Sequence, residues 1–273
     1  MTERDYFRRL ADEQLAIFRT GGFVGADGAW VDLSARIAAS VDGSVEIADA
    51  APTTFARGEA TEISLAAEDA IAGLWRLAGE GCRDIAALNF ASARSPGGGF
   101  LRGGRAQEES LCRATTLYPA LESATTFYDR NRAWPDDFYA DAILYSPDIV
   151  VMRDSYGALM TDGPVVGVIT APAPNRRAAE GKGAAPRAHT ADAALRKRAA
   201  MILRAAIRFE RKALVLGAWG CGVFGNPPDA VAGIFAELLS GEFANVFERV
   251  HFAVPDAGSD ENFEAFARRF PRV

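Results

Sequence analysis

Two adjacent carboxylates, Glu108 and Glu109, follow Gln107, and seven residues separate this triplet from three consecutive glycines, Gly97, Gly98 and Gly99. Carboxyl groups on a structured element can move protons at a reacting bond. Glycines admit φ > 0 and leave no Cβ to keep a ligand from the backbone amides. Neighbouring residues on a helix point ~100° apart, from ~3.6 residues per turn, so Glu108 and Glu109 cannot both face one bond. The spacing therefore fits one acid, not two equivalent ones.

Three elements must position these groups. Residues 85–90 are a short apolar run of the kind a buried strand makes. It breaks into the glycine loop at 95–104, and from Gln107 the pattern turns helical, with Leu111, Ala114 and Tyr118 at three- and four-residue spacing. Glutamates in a first helical turn also have a plain reading, since the helix dipole favours them by ~0.3–1 kcal/mol. A glycine run alone also reads as a flexible loop. Phe100 and Leu101 separate the readings, because a linker would be polar whereas these side chains must pack over something.

Composition limits the function classes. With 273 residues, 49% of them hydrophobic, the chain can bury a sizeable core. No apolar run approaches the ~20 residues of a bilayer span, and the charged first residues do not resemble a secretory signal. Cys82, Cys112 and Cys221 are odd in number and lack CxxC spacing, and His189 and His251 stand far apart, so neither a disulfide framework nor a metal site is expected. Cytoplasm is the expected compartment. A net charge of −6 and a pI near 5.1 argue against direct nucleic-acid binding. They leave room for a phosphorylated small ligand held by loop amides and helix N-termini.

Taken in order, residues 1–20 predict a helix ended by Gly21-Gly22, with short strands at 30–33 and 45–47. Residues 1–57 are expected to form an N-terminal accessory segment packed on a domain at 58–273. From residue 61 strands and helices alternate: strand 63–65, helix 68–77, strand 85–90, then the helix from Gln107. Segments 143–145 and 149–152 are strand-like and joined by Ser-Pro-Asp, which predicts a hairpin or an antiparallel edge. A central strand is expected at 165–170, a Gly/Ala/Arg-rich loop at 176–188, and a long helix at 190–210. Strand 212–217 follows, then a helix with Asn226 as N-cap and Pro227 as first residue. Strand 249–254 and helix 262–269 end the chain. Alternation of this kind argues for an α/β sheet with crossover helices.

Residues 217–225 form a second glycine loop between a strand and a helix. In an open α/β sheet such loops converge at the carboxyl ends of the strands, where amides of both loops can hold a diphosphate. The alternative is a tight structural turn. Trp219 and Phe224 favour a ligand role, since aromatics there can cover a sugar or base, although Trp219 also suits the core. Cys221, with no His or carboxylate near it in sequence, reads as a small buried filler.

Gly-Gly-Gly, seven residues and Gln-Glu-Glu resemble the signature of the bacterial type of poly(ADP-ribose) glycohydrolase. Three further segments resemble that family in the same order: YSPDIVVMRD at 145–154, VITAPAPN at 168–175 and LGAWGCGVFGNP at 216–227. The resemblance implies a macrodomain-like mixed sheet flanked by helices, with an N-terminal helical accessory segment. It implies hydrolysis of the ribose–ribose O-glycosidic bonds of poly(ADP-ribose), with ADP-ribose released, no metal or cofactor, and a place in the DNA damage response. Glu109 would be the catalytic acid, Glu108 would hold ribose hydroxyls, and Gln107 would support the loop. Gly97, Gly98 and Gly99 would approach the diphosphate and distal ribose. Gly220, Cys221, Gly222, Val223, Phe224 and Gly225 would wrap the diphosphate, with Phe224 packing on that ribose. One departure stands out: many macrodomains have Asn-x-Ala-Asn where this chain has Asn89-Phe90-Ala91-Ser92, so Ser92 takes the place of a ribose-holding Asn. Two rival functions remain, a non-catalytic ADP-ribose reader and a mono-ADP-ribosyl hydrolase.

Overall fold

The computed structural model describes residues 2–48, 55–181, 188–256 and 261–273. Helix α1 (Glu3–Thr20) is closed at its start by a capping box between Thr2 and Asp5 and at its end by Gly21 in the left-handed conformation. A hairpin of β1 (Gly22–Val24) and β2 (Trp30–Asp32), helix α2 (Ser34–Asp42) and β3 (Val45–Ile47) follow. Next come β4 (Glu62–Ala66), α3 (Ala70–Gly79), β5 (Ile85–Phe90), a 3-10 turn at Phe100–Arg102 and α4 (Gln107–Ala114). Helices α5 (Leu117–Ser123) and α6 (Thr125–Ala133) lead to β6 (Ile143–Val150) and β7 (Val165–Ala171). The chain ends with α7 (Arg176–Gly181), α8 (Ala188–Arg208), β8 (Ala213–Leu216), α9 (Pro228–Ser240), β9 (Arg249–Ala253) and α10 (Glu261–Ala267).

Seven strands form one mixed sheet in the order β3-β6-β7-β5-β8-β9-β4. β7, β5, β8, β9 and β4 run parallel, while β6 is antiparallel to both of its neighbours. Side chains alternate across the sheet, as strand geometry requires. Ala86 and Leu88 of β5 join one core with Leu214, Leu216 and residues of α8, α9 and α10; Ile85 and Ala87 join the other with α3, α4 and α5. Both faces of the parallel strands are thus covered, which explains their nearly unbroken apolar sequences.

Several local expectations are corrected. Segments 143–145 and 149–152 do not form a hairpin. β6 is one strand inside the sheet, with a register shift between Ser146 and Ile149. Asp148 takes φ 55°, and the Ser-Pro-Asp turn chemistry makes a bulge, where a proline costs no ladder bond. The helix from Gln107 does not reach Tyr118: Thr115 is extended, bridges to Val151, and its hydroxyl accepts the Leu117 N–H at 3.2 Å. The first part of the loop expected at 176–188 is helix α7, whose Ala178 N–H is received by the Asn175 side chain at 3.0 Å; residues 182–187 lie outside the described residues.

Asn226 does not cap α9. The cap position is Pro227 and the first helical residue Pro228, so two positions lack an N–H to be received. Asn226 is buried, and its Nδ2 donates to the carbonyls of Pro174 (2.9 Å) and Gly220 (3.0 Å), joining the second glycine loop to the end of β7.

Candidate active site

A cleft of ≈ 400 Å³ opens at the carboxyl ends of the parallel strands, within the ~300–1,000 Å³ of small-molecule sites. Phe90 ends β5 and Ala91 and Ser92 follow it; the segment after β7 supplies Ala173; the segment after β9 supplies Val254 and Pro255; the loop after β8 supplies Ala218 to Gly220 and Gly222 to Phe224. Gly98, Ala106, Gln107, Glu108, Glu109 and Asn262 complete the wall. Parallel strands ending at one level bring these loops together, although roughly 120 residues separate the two glycine loops along the chain.

Gln107 fastens α4 to the end of β5. Its Oε1 receives the Phe90 N–H at 2.8 Å and its Nε2 donates to the Leu88 carbonyl at 2.7 Å, so its amide continues the strand's bonding. Glu108 is buried; its Oε2 receives the Ser92 N–H at 2.7 Å and its Oε1 faces Asn89 Nδ2 at 3.4 Å. Burial pushes Glu108 up to about 8, with the Glu109 carboxylate adding to the rise and the Ser92, Asn89 and Gly97 donors opposing it. Glu109, also buried, accepts the Gly99 N–H on Oε1 at 2.7 Å. Its Oε2 has no hydrogen-bond partner among the described residues.

The first glycine loop closes on these carboxyls. Gly97 and Gly98 have φ 64° and 58°. A Cβ on Gly98 would lie 2.6 Å from Glu109 Oε1 and 2.9 Å from Glu108 Oε2. The Gly98 and Phe100 amides are used inside the turn, on the Ser95 and Gly97 carbonyls, and the Gly99 amide is used on Glu109. Gly97 and Gly99 do not line the cleft; a Cβ on Gly97 would meet Tyr118 and Cys112. Phe100 is wholly buried with its ring centroid 5.0 Å from Tyr118, whereas Leu101 is half exposed. The Ser92 hydroxyl oxygen accepts the amides of Arg94 (3.3 Å) and Ser95 (3.1 Å), so it shapes the loop while its N–H serves Glu108.

In the second loop, Gly220, Gly222, Val223 and Phe224 line the cleft and Cys221 and Gly225 do not. The N–H groups of Gly222, Val223 and Phe224 have no partner among the described residues. Val223 is exposed at the tip. Trp219 borders the cleft but is a core residue: it is buried, donates Nε1–H to the Ala171 carbonyl at 2.8 Å and sets its ring edge-on to Phe235. Cys221 is half-buried, not buried, because the loop bows outward there; its Sγ lies 3.7 Å from the Trp219 carbonyl.

Two supporting residues escaped sequence reasoning. Asn89 is buried on β5 and bridges Thr170 Oγ1 (3.2 Å) to Glu108. Arg113, one helical turn beyond Glu109 and buried, donates to the Gly104 carbonyl at 2.5 Å while its guanidinium lies 4.4 Å from the Phe7 ring centroid of α1. Its i+4 spacing from Glu109 was a signal available in the sequence.

The profile of the family described as "Microbial-type PARG, catalytic domain" matches residues 11–154, more than half of the chain. The chain is similar to the crystal structure of poly(ADP-ribose) glycohydrolase from Thermomonospora curvata, with 39% identity, a TM-score of 0.92, and coverage of 98% of this chain and 100% of that one. The same enzyme bound to the inhibitor ADP-HPD matches with a TM-score of 0.88, at the same identity and coverage. Poly(ADP-ribose) glycohydrolase from Deinococcus radiodurans in complex with ADP-ribose matches at 39% identity and TM-score 0.77, over 85% of this chain and 96% of that one. No match was found among curated proteins. The fold is macrodomain-like, and the chain belongs to the microbial-type poly(ADP-ribose) glycohydrolases.

Proposed function

We propose that this chain hydrolyses the ribose–ribose O-glycosidic bonds of poly(ADP-ribose) and releases ADP-ribose, with Glu109 as general acid and then general base. Membership of the family, and relatives solved with ADP-ribose and with ADP-HPD, support the reaction. The observation that carries the residue assignment is the asymmetry of the Glu109 carboxyl: Oε1 is fixed by Gly99 N–H, and Oε2 is buried at the cleft wall with no partner among the described residues. An oxygen held in that state is poised for a substrate atom.

In this reading, Glu109 gives its proton to the leaving 2′-oxygen as the bond from the distal ribose breaks and positive charge develops on that sugar. The resulting carboxylate then takes a proton from the water that adds to the anomeric carbon, which restores the acid. Glu108, which burial raises to about 8, is a proton-bearing neighbour at neutral pH. Glu108, held by Ser92 and Asn89, fits the task of orienting ribose hydroxyls. The partnerless amides of Gly222, Val223 and Phe224 fit a diphosphate, and the Phe224 ring fits the distal ribose.

The activity is placed in the cytoplasm, in turnover of polymer formed in the DNA damage response; three cysteines without a disulfide suit a reducing compartment. Among the described residues no helix is long and apolar enough to cross a membrane. The test is incubation with poly(ADP-ribose), following free ADP-ribose, for the wild type and Glu109→Gln, with a mono-ADP-ribosylated protein in parallel. Glu109→Gln should bind ADP-ribose and lose ~10²–10⁴-fold in turnover, the range of a general acid. Turnover within a few-fold of wild type would remove Glu109 from the chemistry, and release from the mono-modified protein alone would favour the mono-ADP-ribosyl hydrolase.

A further inference from the structure

The loop between α6 and β6 lies outside the carboxylate machinery, yet it carries a constrained backbone beside the cleft. Tyr139 has φ 63°, the left-handed region. A bulky side chain is disfavoured there and stays only where the surroundings over-determine it. Arg198 of α8 is wholly buried. Its guanidinium donates to the Phe138 carbonyl, to the Tyr139 carbonyl at 2.8 Å and to the Pro172 carbonyl at 2.9 Å, and Nε faces Asp141 at 3.2 Å. Asn175 adds a second brace: its N–H donates to the Asp137 carbonyl at 2.9 Å and its Nδ2 reaches the Tyr139 hydroxyl at 3.4 Å. Desolvating a guanidinium is costly, and here the planar fork is used on the peptide carbonyls that flank one strained residue.

That backbone sets the Tyr139 ring against the second glycine loop and the residue that leads into the first. Its centroid is 6.1 Å from that of Phe224 in the second loop, tilted by 50°. The guanidinium of Arg94, the residue just before the first loop, lies over it at 5.4 Å and reaches Asp137 at 3.5 Å. Tyr139 itself is buried and does not line the cleft.

We propose that Tyr139 is a positioning residue for glycosidic cleavage: its ring, braced by Arg198, holds Phe224 at the ribose end of the cleft and couples the second glycine loop to Arg94, just before the first. This rests on the reading of Phe224 as the residue that packs on the distal ribose. The role differs from that of a structural wall, because its effect on turnover runs through Phe224.

The test is a double-mutant cycle on polymer hydrolysis with Tyr139→Leu, Phe224→Ala and both together, each confirmed as folded by circular dichroism. Tyr139→Leu should lower kcat/KM about tenfold, the scale of an aromatic contact and its packing, mainly through KM. It should lower it no further once Phe224 is Ala. Tyr139→Phe, which keeps the ring, should restore most of the activity. Wild-type kinetics for folded Tyr139→Leu, or full additivity in the double variant, overturns the proposal while leaving the Phe224 reading intact. Full activity of Phe224→Ala overturns both. Should Tyr139→Leu fail to fold, Arg198→Lys takes its place in the same cycle, since the ammonium lacks the fork that grips both carbonyls.

Discussion

The Gly99 N–H donates to Glu109 Oε1 at 2.7 Å, so the glycine loop and the helix after it are closed on each other through a carboxylate. Gly104, at the far end of the same loop, completes the enclosure: a Cβ there would lie 2.9 Å from Glu109 Cγ. The absence of side chains at 98, 99 and 104 therefore serves the acid as directly as any ligand. A loop that uses its own amides to fix a carboxyl would leave a diphosphate to donors elsewhere, and the amides of Gly222, Val223 and Phe224, without partners among the described residues, are candidates.

This relationship makes Gly98 a sensitive position. Gly98→Ala combines φ 58° with a Cβ 2.6 Å from Glu109 Oε1. Backbone strain should cost about 1–2 kcal/mol of stability, measurable as a lowered melting temperature. The larger effect should fall on turnover, by ~10²-fold, the scale of a displaced catalytic group. A folded Gly98→Ala protein that hydrolyses polymer at the wild-type rate would show that the carboxyl tolerates displacement.

Glu108 links the site to stability. Its folded value of about 8 lies above the ordinary 4.5, so between those two pH values the folded protein keeps a proton that the unfolded chain has released. Its contribution is complete below 4.5 and is lost as pH rises through about 8, with a limiting slope of about 1.4 kcal/mol per pH unit. Glu108→Gln removes that titration, so its melting temperature relative to wild type should climb from pH 5 to about pH 8 and level off beyond it. Glu68 acts with the opposite sign and elsewhere: held near 2, against its burial, by Arg76 and His251, it stabilises above 4.5 and loses that effect as pH falls towards 2. A constant offset between the two melting curves across pH 5–9 would contradict the buried-acid account.

What was legible in the sequence was local. The apolar run at 85–90, the glycines and the helical phase from Gln107 are set by neighbouring residues, and β5, the loop and α4 follow them. What was illegible depends on distant partners. Thr115 breaks α4 because Val151 and Met152 of another segment take its neighbourhood into bridge bonding. Asn226 resembles a cap in sequence, but the carbonyl it holds belongs to Pro174. Ser-Pro-Asp encodes a bend, and whether that becomes a turn or a bulge is decided by β3 and β7 pairing on either side of β6. Arg198 sits on a helix where Arg196, Lys197 and Arg208 face solvent, and its burial follows from the distant carbonyls of Phe138, Tyr139 and Pro172 and from Asp141.

The second loop is tested by Gly222→Val. Gly222 is not in the left-handed region, and a Cβ built there meets nothing within 4 Å. The substitution should therefore fold with a stability change within about 0.5 kcal/mol, as at an unconstrained surface position. Gly220 provides the contrast: with φ 74° and a Cβ 2.4 Å from that of Ala173, Gly220→Val must distort the loop. If the Gly222 amide meets a phosphate, a branched side chain at its Cα hinders that approach. Calorimetry with ADP-ribose should then show binding weaker by ~1–3 kcal/mol, the cost of leaving a charged or buried polar group unsatisfied. Because the free protein tolerates valine at this position, any loss is assigned to the bound state and not to folding. Unchanged affinity in the folded Gly222→Val protein would make this loop a strand-to-helix turn and move the diphosphate donors elsewhere.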